Sequence, residues 1–194
     1  MRTTVFTCLF VATMALVNLT AVGAAEKGPL WLHPDTVPLS TDILGPFVRL
    51  DDGRIMAVDK AGVHASSDEG NTWESWPLET GMEFGVSNER ALLYTRDGVL
   101  ILACMNLAEK VLNWNSTTHD ADPGTTLPTY ALRSLDKGRT WEKPIKLHDE
   151  WSVAVRNMIQ AADGRVVFTA MRLLTKPGRH SVLTYSSTDD GASW

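Results

Sequence analysis

An eight-residue motif that occurs three times constrains this chain more than any other feature of its sequence. The pattern is Ser-x-Asp-x-Gly-x-(Thr/Ser)-Trp, with copies at residues 66–73, 134–141 and 187–194. Asp and Ser side chains hydrogen-bond nearby backbone N–H groups, Gly adopts conformations that a Cβ forbids, and Trp buries a large ring. The motif, called the box turn below, therefore predicts a tight turn that leads into a β-strand.

We assign the constrained positions of each box turn a structural role, and we do not treat its aspartate as catalytic. Turn chemistry accounts for every residue type at its place in the motif. The positions are Ser66, Asp68, Gly70 and Trp73, then Ser134, Asp136, Gly138 and Trp141, then Ser187, Asp189, Gly191 and Trp194.

A second repeat precedes each box turn and predicts β-hairpins. Asp52-Gly53, Asp97-Gly98 and Asp163-Gly164 each lie between two apolar, β-forming runs. Each unit is thus predicted to contain four strands: an Asp-Gly turn joins the first to the second, a loop joins the second to the third, and the box turn joins the third to the fourth. This is the arrangement of a β-propeller blade. The sequence predicts an all-β chain with four-stranded antiparallel blades.

We place the three blades at about residues 45–78, 90–147 and 156–194. The last one reaches its box Trp without a fourth strand. Propellers usually close a ring of four to eight blades, so we expect a fragment or a chain whose open edges need a partner.

The first 25 residues predict a secretory signal peptide. Arg2 supplies a positive charge, Val5–Val17 is almost wholly apolar, and Ala21–Ala25 offers small residues for cleavage. The alternative is a membrane anchor, but a membrane span needs an apolar run of about 20 residues and this run is shorter. We expect a secreted or periplasmic protein with no stable membrane insertion after cleavage, and a propeller over residues 26–194.

Composition excludes several other functions. The net charge of −5 comes with no basic stripe, so nucleic acid is not an expected partner. Signal cleavage would remove Cys8 and leave Cys104 in an apolar run, which predicts a buried free thiol. The histidines stand apart from one another and no Cys/His cluster has zinc spacing, so we assign no metal and no cofactor.

Topology predicts which face of the blades carries a site. The Asp-Gly turns and the box turns share one face, and the opposite face carries the starts of the first strands. Arg90 and Arg156 each stand seven residues before an Asp-Gly turn, so they occupy equivalent innermost positions on that opposite face. Guanidinium groups there suit a carboxylate ligand. The alternative is an ordinary strand start in which the arginines pair with Glu89 or Asp149.

Loops between second and third strands reach the same face. In the second unit this loop runs from about residue 106 to residue 127 and carries Glu109, Trp114, His119, Asp120 and Asp122. The third-unit loop carries Arg172, Arg179 and His180, which suit an anionic group. A polar surface loop without a ligand is the alternative for both segments.

The box turns resemble the Asp boxes of bacterial sialidases (neuraminidases) and related propellers, and the resemblance covers about residues 30–194. It implies six blades, about three of them in this chain, and removal of terminal sialic acid without a cofactor. It also implies three arginines on the sugar carboxylate, a Tyr–Glu nucleophile and an Asp acid/base, an exception to the usual carboxylate pair of glycosidases. Non-catalytic propellers carry such boxes too.

Residue by residue, the resemblance implies that Arg90 and Arg156 bind the carboxylate and that Asp122 or Asp120 is the acid/base. Gly45 stands where the first unit would carry an arginine, so this unit departs from the family pattern. The tyrosines of the chain, Tyr94, Tyr130 and Tyr185, lie within predicted strands. We therefore expect the nucleophile, its Glu and the third arginine beyond residue 194. The chain alone is then expected to be inactive.

The sequence therefore leaves two functions open. The first is an exported exo-sialidase-like glycoside hydrolase acting on sialylated or other acidic glycans, since arginines bind any carboxylate or sulfate. The second is a non-catalytic propeller that binds a glycan or a protein.

Overall fold

Antiparallel strand pairing organises most of the chain into three consecutive sheets. The computed structural model describes residues 31–36, 41–175 and 177–194, so the predicted signal peptide lies outside the described residues. Within these ranges, no helix has the length and apolar character needed to cross a membrane. The described residues fall into two units, residues 31–36 and the residues from 41 onward. In the first unit, Thr36 donates its N–H to the His33 carbonyl at 2.9 Å in an exposed turn.

The first sheet is a complete four-stranded blade. Its strands follow the chain in the order β1-β2-β3-β4. They are β1 (Phe47–Arg49), β2 (Ile55–Asp59), β3 (Gly62–Ser66) and β4 (Glu74–Trp76). The Asp52-Gly53 turn joins β1 to β2, and the first box turn joins β3 to β4, as the repeats predict.

The second blade has the same order of strands and a long insertion. Its strands are β5 (Val86–Tyr94), β6 (Leu100–Asn106), β9 (Thr129–Ser134) and β10 (Ile145–His148). Between β6 and β9 the chain makes a 3-10 turn at Leu107–Glu109 and then a small hairpin of β7 (Trp114–Asn115) and β8 (Asp120–Ala121). Residues 107–128 are called the insertion loop below.

The third sheet contains β11 (Ser152–Val153), β12 (Met158–Gln160), β13 (Val166–Leu174) and β14 (Arg179–Ser187). Both β11 and β12 pair with one edge of β13, and β14 pairs with the other edge. They are therefore two parts of one first strand. The all-β class and the antiparallel blades predicted from the sequence are confirmed.

The first strands of the second and third blades share an irregularity that the sequence did not reveal. Val86 lies opposite Asn106, but pairing resumes with Arg90 opposite Cys104. In the third blade, Val153 lies opposite Met171 and pairing resumes with Met158 opposite Phe168. Each first strand thus contains a bulge with two additional residues, which re-aims the backbone next to both arginines.

Apolar side chains pack between neighbouring blades. One cluster joins the first two blades and includes Met56, Val58, Val63, Leu100, Leu102 and Leu132. The other joins the second and third blades and includes Ile101, Ala103, Met105, Val166, Phe168 and Ala170. Successive residues of β6 belong to opposite clusters, so this strand is buried on both faces.

Cys104 lies in the first of these clusters. It is free and buried, as the sequence predicts, and burial raises the pKa of its thiol to about 12. A neutral thiol in such surroundings acts as a small apolar group.

Each box turn is held by the hydrogen bonds that its residue types predict. Ser66 Oγ donates to Asp68 Oδ1 at 2.8 Å and accepts the Gly70 N–H at 2.8 Å. The Asp68 carboxylate accepts the Thr72 N–H at 2.8 Å and the Thr72 hydroxyl at 2.7 Å. The same bonds recur in the second and third box turns.

The glycine of a box turn also lies against the preceding blade. Gly138 has a φ of +80°, and a Cβ there would lie 2.9 Å from Met56 Cε and 3.2 Å from Val63 Cγ1. Trp76 Nε1 donates to the Gly138 carbonyl at 2.8 Å across the same junction. In the next junction, a Cβ on Gly191 would lie 2.9 Å from Ile101 Cδ1. The box turn therefore closes its own hairpin and docks it on its neighbour.

Replacing Gly138 by Ala tests this double role. The Gly138→Ala variant should lose about 1–2 kcal/mol of unfolding free energy from left-handed strain and about 1–3 kcal/mol more from overpacking. Gly53→Ala is the matched control, because Gly53 has a φ of +86° and no atom within 4 Å of a built Cβ. Urea unfolding measures both, and equal losses would contradict the docking role.

The box aspartates should make stability depend on acid pH. The Thr72 hydroxyl lowers the pKa of Asp68, and the Ser193 hydroxyl lowers the pKa of Asp189 to about 2. For Asp136, partial burial opposes the shift, but bonds from Thr140 and Ser134 lower its pKa. Folded values lie below the unfolded value of about 3.9, so this stabilisation is present above pH 4 and is lost as pH falls toward 2.

Thermal melts between pH 5 and pH 2 measure the effect. The Tm should fall across this range, and it should fall less steeply in Asp189→Asn because that side chain does not titrate. An identical slope in the parent and the variant would contradict this account.

Candidate functional site

Arg90 lies at the predicted face, but the fold uses its whole guanidinium. Arg90 is only 3% exposed. All five N–H groups of its guanidinium donate to backbone carbonyls. Nε donates to Val58 at 2.6 Å, Nη1 to Ser87 and Asn88 at 3.2 Å each, and Nη2 to Leu44 and Gly45 at 2.7 Å each.

These acceptors lie on the β5 bulge, on β2 and just before β1. Arg90 therefore ties its own bulge to the preceding blade, and no N–H remains for a substrate carboxylate. Carboxylate binding by Arg90 stays a prediction that requires some of these bonds to open, and the sequence position of this arginine could not reveal them. Burial lowers the pKa of this arginine.

Arg156 stands at the equivalent position and has the opposite environment. Its side chain is 72% exposed, and Nη2 donates to Glu89 Oε1 at 2.5 Å. The other Glu89 oxygen accepts the Ala154 N–H at 2.7 Å, at a residue with a φ of 61°. Both arginines and Glu89 line a recess of about 260 Å³. Arg156 thus remains a candidate for carboxylate binding.

A hydrogen-bonded cluster fixes the start of the insertion loop. The Glu109 carboxylate accepts from the Tyr130 hydroxyl at 2.5 Å, Asn106 Nδ2 at 3.0 Å and Lys146 Nζ at 2.7 Å. The Lys146 hydrogen bond is the main reason that the pKa of Glu109 is lowered. The loop therefore leaves β6 from an anchored turn.

Beyond that anchor, the insertion loop and the β13–β14 turn enclose a cleft of about 400 Å³. Its apolar lining consists of Leu112, Trp114, Ala121, Trp151 and Leu173. Its polar lining consists of Thr118, His119, Asp120, Arg179 and His180, with Gly178 at the turn. The structure thus brings the predicted loop residues of two different blades into one site, called the loop cleft below.

Asp120 joins the two walls of the loop cleft. Its Oδ2 accepts the Gly178 N–H at 3.0 Å, and its Oδ1 accepts the Ala121 N–H at 2.8 Å. A Cβ on Gly178 would overlap the Asp120 carboxylate, so the close approach requires glycine. The carboxylate is therefore placed by backbone groups of both blades.

Asp122 points to a different place. It lines a neighbouring hollow of about 350 Å³ together with Glu150, Leu174 and Thr175. Asp122 and Asp120, which the sequence left as alternatives, thus line different hollows. Asp120 is the one that shares a cleft with Arg179 and His180.

Trp151 and Glu89 are site residues whose roles sequence reasoning missed. Trp151 follows β10 and lies outside every box turn, and that was the available signal, since the boxes explain three of the seven tryptophans. Glu89 was named only as a possible partner of the two arginines in the alternative, and it bonds Arg156 of the next blade. Among the residues that the structure describes, no group of three His, Cys, Asp or Glu side chains could hold a metal ion.

Comparison with solved structures identifies a sialidase-like fold. The Hadza microbial sialidase Hz136 matches with a TM-score of 0.53 and 21% identity, over 76% of this chain and 35% of its own. A protein of unknown function from Dyadobacter fermentans matches with a TM-score of 0.52 and 19% identity, over 75% of this chain and 50% of its own. The chain spans half or less of these structures, and identities this low show the fold alone.

No family model matches the sequence, and no curated protein matches it either.

Substitution of the two arginines separates their roles. Arg90→Ala should lower the unfolding free energy by about 3 kcal/mol or more, because buried carbonyls lose their donors. Arg90→Lys should be intermediate, since an ammonium group has three donors. Arg156→Ala should cost less than about 1 kcal/mol, because its ion pair is exposed. Urea unfolding tests the contrast, and similar losses for both alanine variants would contradict it.

Proposed function

We propose that this chain belongs to an exported sialidase-like glycoside hydrolase that removes terminal sialic acid or a related acidic sugar from glycoconjugates. One observation carries the proposal. The exposed guanidinium of Arg156 and the Asp120 carboxylate both lie at the face formed by first-strand starts and second-to-third-strand loops. The sialidase-like fold supports the proposal independently.

Arg156 would bind the carboxylate of the acidic sugar. A guanidinium offers paired N–H donors that match a carboxylate, and Glu89 takes one of those donors while fixing the side chain. Arg156 also lines the recess of about 260 Å³.

Asp120 would act as the acid/base. Cleavage of the glycosidic bond requires a proton on the leaving oxygen, and a carboxyl group held in a cleft can deliver it. Asp120 fits better than Asp122 because the loop cleft also contains cationic and aromatic side chains. Those groups can contact a bound sugar.

The nucleophile and the third arginine would lie outside this chain. Tyr94, Tyr130 and Tyr185 all lie in strands, and burial is the main cause that raises the pKa of each. A phenol whose ionisation is disfavoured is a poor nucleophile. The proposed activity therefore belongs to the complete gene product.

A non-catalytic propeller that binds acidic glycans is the second candidate. The complete use of Arg90 by backbone carbonyls favours it, because one of the two predicted carboxylate ligands has every N–H group already bonded within the fold. A single exposed arginine suffices to bind a carboxylate or sulfate weakly. Hydrolysis distinguishes the two candidates.

The test is hydrolysis of a fluorogenic sialic acid glycoside by the full-length gene product. Arg156→Ala and Asp120→Asn should each lower kcat/KM by roughly 100-fold, because they remove the carboxylate ligand and the proton donor. Arg165→Ala is the matched control, since this half-exposed arginine follows the Asp163-Gly164 turn on the opposite face. It should change kcat/KM less than about twofold.

The outcomes separate the candidates clearly. Fluorophore release that both site variants abolish and Arg165→Ala preserves would support the hydrolase. A folded parent that releases no fluorophore would overturn it and leave acidic-glycan binding. Retention of full activity in Arg156→Ala would remove Arg156 from the site.

A further inference from the structure

We propose that the loop cleft is a subsite for a neutral pyranose ring, which stacks on Trp114. The inference deepens the proposed function and rests on it for one point, the position of this ring on the leaving-group side of the scissile bond. The binding of a neutral sugar in the cleft stands on the geometry of the cleft itself.

The walls of the loop cleft offer aromatic surface to a ligand. Trp114 is 55% exposed although it lines a cavity of about 400 Å³, a volume within the range of small-ligand sites. Trp151 forms a second aromatic wall, and Lys110 Nζ lies 5.7 Å from the centroid of its ring. The faces of aromatic rings are electron-rich, and one face of a pyranose presents slightly positive C–H groups. Stacking of a sugar on Trp114 satisfies both partners.

The polar lining complements the hydroxyl groups of a sugar. An ionised carboxylate has about four acceptor positions, and backbone N–H groups occupy two of those on Asp120. The remaining positions can accept sugar hydroxyls, while Arg179 and His180 supply donors from the opposite wall. An aromatic wall with fixed acceptors and donors suits a polyhydroxylated ring better than a lipid or an apolar peptide.

The position of Asp120 favours a neutral ring over an acidic one beside this carboxylate, although Arg179 lines the same cleft. The Asp120 carboxylate is fixed in the cleft and would repel a carboxylate bound beside it. The exposed Arg156 lies in a separate recess, where an acidic sugar has a cation to bind. The two sugars of a glycoside would thus occupy different parts of the face.

The chemistry of the proposed reaction leads to the same assignment. A general acid must lie within hydrogen-bond reach of the leaving oxygen. The leaving sugar therefore shares a cleft with Asp120, and its former glycosidic oxygen becomes the hydroxyl that Asp120 contacts. A neutral product sugar should bind the loop cleft without the acidic sugar.

Isothermal titration of the full-length gene product with lactose, N-acetyllactosamine and methyl α-mannoside tests the subsite. At least one of these neutral saccharides should bind, and Trp114→Ala should weaken that binding roughly tenfold. Trp114→Phe should restore part of it by keeping an aromatic face. Leu135→Ala is the control for loss of a large exposed apolar side chain, because Leu135 is 59% exposed, lies in the second box turn and does not line the cleft.

Loss of binding in Trp114→Ala, with parent affinity in Leu135→Ala, would support the subsite. Three outcomes would overturn it: no binding by the folded parent up to roughly 50 mM saccharide, unchanged binding in Trp114→Ala, or tighter binding of glucuronate than of every neutral saccharide.

This experiment fails independently of the hydrolysis assay. Saccharide binding that depends on Trp114 without any hydrolysis would overturn the enzyme and keep the subsite. Hydrolysis without saccharide binding would overturn the subsite and keep the enzyme.

Discussion

The junction between one blade and the box turn of the next is the constraint on which this structure depends. A four-stranded blade has two broad faces, and each must be covered by a neighbour. The box turn allows that cover, because its glycine takes a left-handed conformation and brings its backbone against Met56 and Val63 of the preceding blade. The Gly138 carbonyl accepts the Trp76 indole N–H at the same junction, so a hydrogen bond accompanies the apolar contacts.

Sequence reasoning succeeded wherever local chemistry determines structure. Turn residues at fixed spacing located the hairpins, and the apolar runs between them located the strands. The number of strands in each blade, and the face on which the Asp-Gly turns and box turns both lie, then followed from the order of these elements. It did not anticipate the bonds of Arg90, because the contacts of an arginine depend on which acceptors surround it. Three of the five acceptors belong to Leu44, Gly45 and Val58, residues that are distant in sequence and lie in the first blade or just before it.

The bulges escaped prediction for a similar reason. Two additional residues in a first strand leave no mark in composition, and the pairing partner alone reveals the change of register. The bulge has a clear effect at the start of β5, where two adjacent residues form hydrogen bonds with different neighbouring blades. Arg90 donates to carbonyls of the preceding blade, while Glu89 accepts an N–H and a guanidinium from the following one. Equivalent positions in two repeats therefore acquire different chemistry from their surroundings.

The burial of β6 on both faces has a consequence for how the chain unfolds. Its residues alternate between the two apolar clusters, so the first and third blades each cover one side of the same strand. Detachment of either outer blade would expose a strand in which six of seven residues are apolar. A partly opened molecule would then carry an apolar strand edge and face that favour self-association, so the chain gains protection if its three blades unfold together.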